Sequence, residues 1–109
     1  MTDPATTKLE TFRAMVRKNP DNALARFGLA NEAMKAGLDE EAREHLEAYL
    51  ARYEDEGNGW LRLGEVLARL GRTEEARGAL RRGVEASNRH GHAGMANEIE
   101  LRLEELADE

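Results

Sequence analysis

Apolar positions along this chain recur at helical spacing in successive stretches, each closed by residues that favour turns. Leu9, Phe12, Met15 and Val16 give the first stripe. Asp3 is its expected cap, with Pro4 at the first helical position, where a missing N–H costs little. Pro20 disfavours helical conformation at Asn19, so this helix ends there, and Asp21 or Asn22 caps the next one before Leu24, Phe27 and Ala30. That second helix runs to Ala36, where Gly37 supplies a left-handed C-terminal position. Asp39 is the expected cap of a third helix carrying Ala42, Leu46, Tyr49 and Leu50, with Glu40 and Glu41 favourably placed in its first turn. The pattern breaks from Glu54 to Gly59 and resumes from Trp60 to Leu70, where Gly71 closes a fourth helix. A fifth helix starts near Thr73 and passes through Ala76, Leu80 and Val84 towards Arg89. Met95, Ile99, Leu103 and Leu106 mark a sixth, whose other side, Asn97, Glu98, Glu100, Arg102 and Glu104, is strongly polar.

These stretches repeat. Gly37-Leu38-Asp39-Glu40-Glu41-Ala42-Arg43 returns 34 residues later as Gly71-Arg72-Thr73-Glu74-Glu75-Ala76-Arg77. At the same offset Leu29 meets Leu63, Ala33 meets Leu67, Leu46 meets Leu80 and Leu50 meets Val84. A period of this length signals stacked helix pairs rather than one irregular globule. The terminal helix, polar on one side, serves as a cap, because an uncovered last repeat would expose its apolar face.

In this period and its signature residues the chain resembles the tetratricopeptide repeat, or TPR. Residues 57–90 place Trp60, Leu63-Gly64, Leu67, Gly71, Ala76 and Leu80 on signature positions. Residues 23–56 match through Leu29, Ala30, Ala33, Gly37, Ala42 and Leu46, with Arg26 where the family favours Trp. Pro20 falls on the proline position and Phe12 on the aromatic one, so residues 1–22 read as half a repeat, and residues 91–109 as a C-terminal capping helix whose match is weakened by Gly94 and Asn97. The resemblance implies an all-α fold, an antiparallel helix-pair superhelix (a TPR-like α-solenoid) of about six helices in a single domain. Small residues at Ala30, Gly64, Ala42 and Ala76 set helix spacing. Trp60 is expected to bury enough apolar area that its loss costs roughly 3 to 5 kcal/mol.

The resemblance also implies a location for function. Ligands of such arrays lie along a groove lined by the first helix of each pair, which here gives a column of Phe27, Leu61 and Met95, followed by Asn31, Glu65 and Ile99 and flanked by Met34, Lys35, Ala68 and Arg69. Either these residues receive a peptide or helix of a partner protein, or they are ordinary packing between helices. The implied function is a protein-interaction adaptor or scaffold; the alternative is a self-association module needing no separate ligand. Phe27 stands where a carboxylate clamp for acidic chaperone tails would need Lys, and Glu65 offers no replacement, which argues against that specialised use.

A formal net charge of -6 opposes nucleic-acid binding. Arg62, Arg69, Arg72, Arg77, Arg81 and Arg82 are interleaved with Glu65, Glu74, Glu75 and Glu85 and read as a solvated face. Cysteine is absent, which removes disulfides and thiolate metal sites. No nucleophile motif or phosphate-cradling loop accompanies His45, His90 and His92, so neither catalysis nor a cofactor is expected. His90 and His92 with Glu54, Asp55 or Glu56 would be the candidate metal ligands, but two histidines near a helix end read as a solvated turn, as does the acidic loop itself. Without a signal-like start or a long apolar run, the expectation is a soluble, cytoplasmic protein. In its brevity the chain resembles bacterial stand-alone TPR proteins, which implies a bacterial source.

Overall fold

The computed structural model describes residues 4–107, which fall into two compact units meeting in sequence between Tyr53 and Glu54. The described residues form six helices and no strand. Asp3, the expected first cap, lies outside them.

The first unit holds α1 (Pro4–Lys18), α2 (Ala23–Lys35) and α3 (Asp39–Arg52), with α2 packed against both neighbours. Asn22 caps α2 as expected, its side chain accepting a hydrogen bond from the Ala25 amide at 3.1 Å. The buried face of α2 is Ala25, Leu29, Ala30, Glu32 and Ala33, a stripe that leaves Leu24, one position out of phase, 80% exposed. Leu24 is therefore not a core residue, and on α1 Met15 is also exposed whereas Leu9 and Val16 are buried. Phe12 reaches the core by a different route. Its ring lies over Gly28, where an added Cβ would sit 2.7 Å from Phe12 Cζ, so only glycine lets α1 approach this closely. Arg13 on α1 and Glu41 on α3 close a two-point ion pair at 2.7 and 2.8 Å that ties together the helices flanking α2. That hydrogen bonding holds the Glu41 carboxyl below its usual range and raises Arg13.

The second unit holds α4 (Asn58–Arg69), α5 (Thr73–Arg89) and α6 (Ala93–Ala107). Here α5 is central, and α4 also touches α6. Gly64 admits Leu80, whose Cγ lies 2.6 Å from where a Cβ would be. At Gly83 a Cβ would come within 3.1 Å of both Ile99 Cδ1 and Trp60 Cβ, so this glycine is the point where α6 and α4 close over α5. The far end of α6 is held by Arg77, which donates to the Leu106 carbonyl at 3.1 Å. Trp60 is half-buried rather than fully enclosed, with the Arg82 guanidinium 5.3 Å from its ring centroid.

Three helix ends share one device. Gly37, Gly71 and Gly91 adopt φ of 76°, 77° and 76°. The following residues Leu38, Arg72 and His92 donate to the carbonyls of Ala33, Leu67 and Ser87, while the glycine amides donate to Met34, Ala68 and Asn88. This paired bonding satisfies carbonyls that a helix end leaves orphaned. The starts of α3 and α5 differ from expectation: Asp39 and Thr73 are the first helical residues, and Leu38 and Arg72 occupy the cap positions without a side-chain cap bond. The acidic loop differs more. Asp55 is buried, and its Oδ1 accepts from the amides of Gly57 and Gly59 at 2.8 and 2.7 Å, fixing the entry to α4 instead of facing solvent.

Candidate partner-binding surfaces

In the first unit, four residues of the expected groove lie on α2. Phe27 is half-buried and packs on Tyr49 of α3, with ring centroids 5.1 Å apart and planes tilted by 40°. Asn31 and Met34 are also half-buried, while Lys35 is exposed and pairs with Glu32 at 3.4 Å. Asn31 is distinctive because its Oδ1 is buried and accepts no hydrogen bond. An unsatisfied buried acceptor costs on the order of 1 to 3 kcal/mol.

In the second unit, Leu61, Glu65 and Arg69 lie on α4, and Met95 and Ile99 on α6. Leu61 is buried and Ile99 fully so, the latter beside Gly83; Met95 is half-buried with its Sδ next to Gly57. These three supply packing beneath a surface, while Glu65 is half-exposed and Arg69 exposed.

A further feature of the first unit did not emerge from periodicity. Between α2 and α3 lies a cavity of about 400 Å³ lined by Pro20, Asp21, Ala23, Arg26, Ala48, Tyr49, Arg52 and Tyr53. Tyr49 and Tyr53, one helical turn apart, stack with centroids 5.5 Å apart and planes 18° from parallel. Arg26 braces the wall by donating Nε to the Pro20 carbonyl at 3.0 Å and Nη1 to His45 Nδ1 at 3.1 Å. A guanidinium only donates, so His45 Nδ1 is the acceptor and the neutral ring carries its proton on Nε2. Burial, with Arg26 adding to it, lowers the proton affinity of His45. Arg52 pairs with Asp21 across the mouth. The signal available in sequence was Arg26 on the position where the repeat prefers Trp, together with the Tyr49 and Tyr53 pair.

The candidate metal ligands are brought near one another at the start of α6 and the loop before α4. Glu56 Oε1 lies 3.2 Å from His92 Nε2 and 3.6 Å from His90 Nδ1, and Glu54 Oε1 lies 3.7 Å from His90 Nε2 and 3.9 Å from Arg89. Asp55 turns away to cap α4, and among the described residues no group of three or more His, Asp or Glu is arranged to hold a metal ion.

The sequence matches the tetratricopeptide repeat family over residues 9–56 and again over 27–90. It is 33% identical over 98 residues to a TPR repeat-containing protein of Pseudomonas aeruginosa, covering 90% of this chain and 93% of that one. The chain belongs to the tetratricopeptide repeat family. Its fold is similar to the crystal structure of MamA, with a TM-score of 0.68 at 16% identity, over 97% of this chain and 75% of that one. The fold class is accordingly an all-α, TPR-like solenoid. TPR proteins act as protein-interaction scaffolds, and this chain falls in that class. No described helix of this TPR protein is long and apolar enough to cross a membrane.

Proposed function

We propose that this TPR protein is an adaptor that binds a peptide or helix of a partner protein through its first-helix surfaces. In the first unit the contact residues are Phe27, Asn31, Met34 and Lys35; in the second they are Glu65 and Arg69, supported by Leu61, Met95 and Ile99. The observation that carries this reading is the run of half-buried Phe27, Asn31 and Met34 along α2, ending at the exposed Lys35. Part-exposed apolar side chains in line with a cation suit a bound chain that brings an apolar side chain and an acidic group together. Lys35 and Arg69 orient a partner with acidic residues. The TPR relative of Pseudomonas aeruginosa fits a bacterial scaffold, which we expect to work in the cytoplasm without cofactor or catalysis.

Affinity capture from an extract of the source cell tests this, comparing the wild type with an Asn31→Ala, Lys35→Glu variant whose helicity is checked by circular dichroism. The variant is expected to lose the captured protein at least tenfold, on the order of 1.4 kcal/mol. Equal capture by both proteins removes the α2 surface as the binding site.

A further inference from the structure

We infer that copies of this chain join end to end, α6 of one copy and α1 of the next forming the first and second helices of one shared repeat. The contact deepens the self-association alternative. It uses no residue of the proposed adaptor surface, so either can fail without the other.

The repeat register carries the first step. Within the α4–α5 pair a Cβ at Gly83 would lie 3.1 Å from Trp60 Cβ, and one at Gly64 would lie 3.4 Å from the Ala76 carbonyl oxygen. One period after Trp60 and Gly64 stand Gly94 and Glu98 of α6, and two periods before Ala76 and Gly83 stand Lys8 and Met15 of α1. By register α6 is a first helix awaiting its second, and α1 is a second helix awaiting its first. Within its unit α1 packs against α2, and α6 packs against α5 and α4. The faces turned to the awaited partners stay open. Leu101, on the position where Ala33 and Leu67 are buried, is 59% exposed, and Met15 is 40% exposed. Glu105 occupies the position at which Gly37 and Gly71 end their helices, so α6 runs on to Ala107 where α2 and α4 have already closed. Its own chain therefore makes no turn into a second helix at this point, and α1 of another copy is a second helix with its pairing face free.

Size and charge carry the second step. Set in the α4–α5 register, Met15 meets Gly94 and Lys8 meets Glu98. The first of these contacts reverses Trp60 against Gly83, keeping one large residue and one glycine at the crossing. For the second, α1 carries four cations and one carboxylate, whereas α6 carries one cation and four carboxylates. Arg13 is engaged by Glu41 and Arg102 by Glu105, but Lys8 and Glu98 are exposed and have no ion-pair partner among the described residues. Each copy carries a formal charge of -6 and repels another as a whole, so the contact is weak and depends on this local match of sign. Because the joined surfaces differ, repetition of the contact builds a ring or an open chain.

Sedimentation velocity at protein concentrations up to about 1 mM tests the contact, because that range reaches millimolar dissociation constants. The wild type is expected to associate as concentration rises. Lys8→Glu and Glu98→Lys each set like charges against each other at the junction and are each expected to weaken association at least tenfold. The deciding measurement mixes the two variants. Alternating copies then present opposite charges at every junction, so the mixture is expected to regain the association of the wild type that neither variant shows alone. If circular dichroism finds that either variant has lost helicity, Met15→Ser and Leu101→Ser replace the pair. Their mixture retains one unaltered junction and is expected to form a 1:1 pair that neither forms alone. A wild type that stays monomeric throughout, variants that associate like the wild type, or a mixture no stronger than its components each overturns the inference.

Discussion

The helix pairs α2–α3 and α4–α5 share one register, yet equivalent positions do different work in the two units. Leu46 and Leu80 are both fully buried, as are Ala42 and Ala76, so the register fixes the inner packing of each pair alike. The outer positions part company. Asp21 pairs with Arg52 at an exposed cavity mouth, whereas Asp55 is buried and organises the start of α4. Arg26 braces a loop and His45, while Trp60 covers α5 beneath Arg82. Tyr49 and Tyr53 line a cavity, while Gly83 and Ser87 leave space that Ile99 and Met95 fill. The difference teaches that a shared register fixes the inner packing of a pair and leaves its outer positions to the chemistry of each unit.

The strongest way to break this contrast is to import the tyrosine. Gly83→Tyr places a large ring where even a Cβ is crowded by Ile99 and Trp60. It is expected to cost about 3 kcal/mol or more, read by urea unfolding, with loss of α6 docking. An unchanged midpoint would show that α6 does not rest on α5 at this point. Next in size is Trp60→Ala. Its half-exposed ring loses only part of the area first expected, so the cost falls to about 2 kcal/mol, and Arg82→Ala removes a smaller share by ending the cation–π contact.

The two aspartates sharpen the comparison at a lower level. Asp55→Ala leaves the Gly57 and Gly59 amides without their acceptor and is expected to cost about 1 to 2 kcal/mol, as loss of a helix cap does. Asp21→Ala, which removes an exposed ion pair, is expected to stay within about 0.5 kcal/mol. Thermal melts of the two single variants decide it, and equal shifts would mean that Asp55 is no better anchored than Asp21.

The number of helices, their order and the glycine-closed ends were legible because a single physical cause governed each: apolar spacing, a proline, or a glycine at φ near 76°. Leu24 was misplaced because α2 buries small residues, and a stripe led by Ala25, Ala30 and Ala33 is faint beside a leucine. Asp55 looked like one of three solvated carboxylates, and nothing local separates it from Glu54 and Glu56. What singles it out is the buried pair of amides it meets two and four residues later. The groove column was readable as positions on a register, but the register could not say that Ile99 is wholly enclosed while Asn31 holds an unpaired acceptor. The cavity was hidden for the same reason: Tyr49 read as part of an apolar stripe with Ala42, Leu46 and Leu50, and Tyr53 stood out only once α2 and α3 were side by side.

The smallest expected effect is confined to the first unit and separates the two pairs by pH. His45 corresponds to Ala79, so only α3 carries a titratable ring at this position. Burial and Arg26 lower its folded-state value below the ordinary 6.5. A folded-state value below the unfolded one means that the unfolded chain binds more protons in between, so the stability present above pH 6.5 declines as pH falls through that window. Glu41 acts in the same direction at lower pH. Its value is held under the ordinary 4.5 by the Arg13 hydrogen bonds, so the benefit present above 4.5 is lost as pH falls through the lowered value. Both partners of that pair are part-exposed, so Glu41→Gln at neutral pH is expected to cost only about 0.5 to 1 kcal/mol, less in high salt. Melting temperatures measured across acid pH should fall in two stages. His45→Gln should flatten the first stage alone and Glu41→Gln the second alone. A His45→Gln profile that follows the wild type through the first window would show that Arg26 and its cavity wall do not depend on a neutral imidazole.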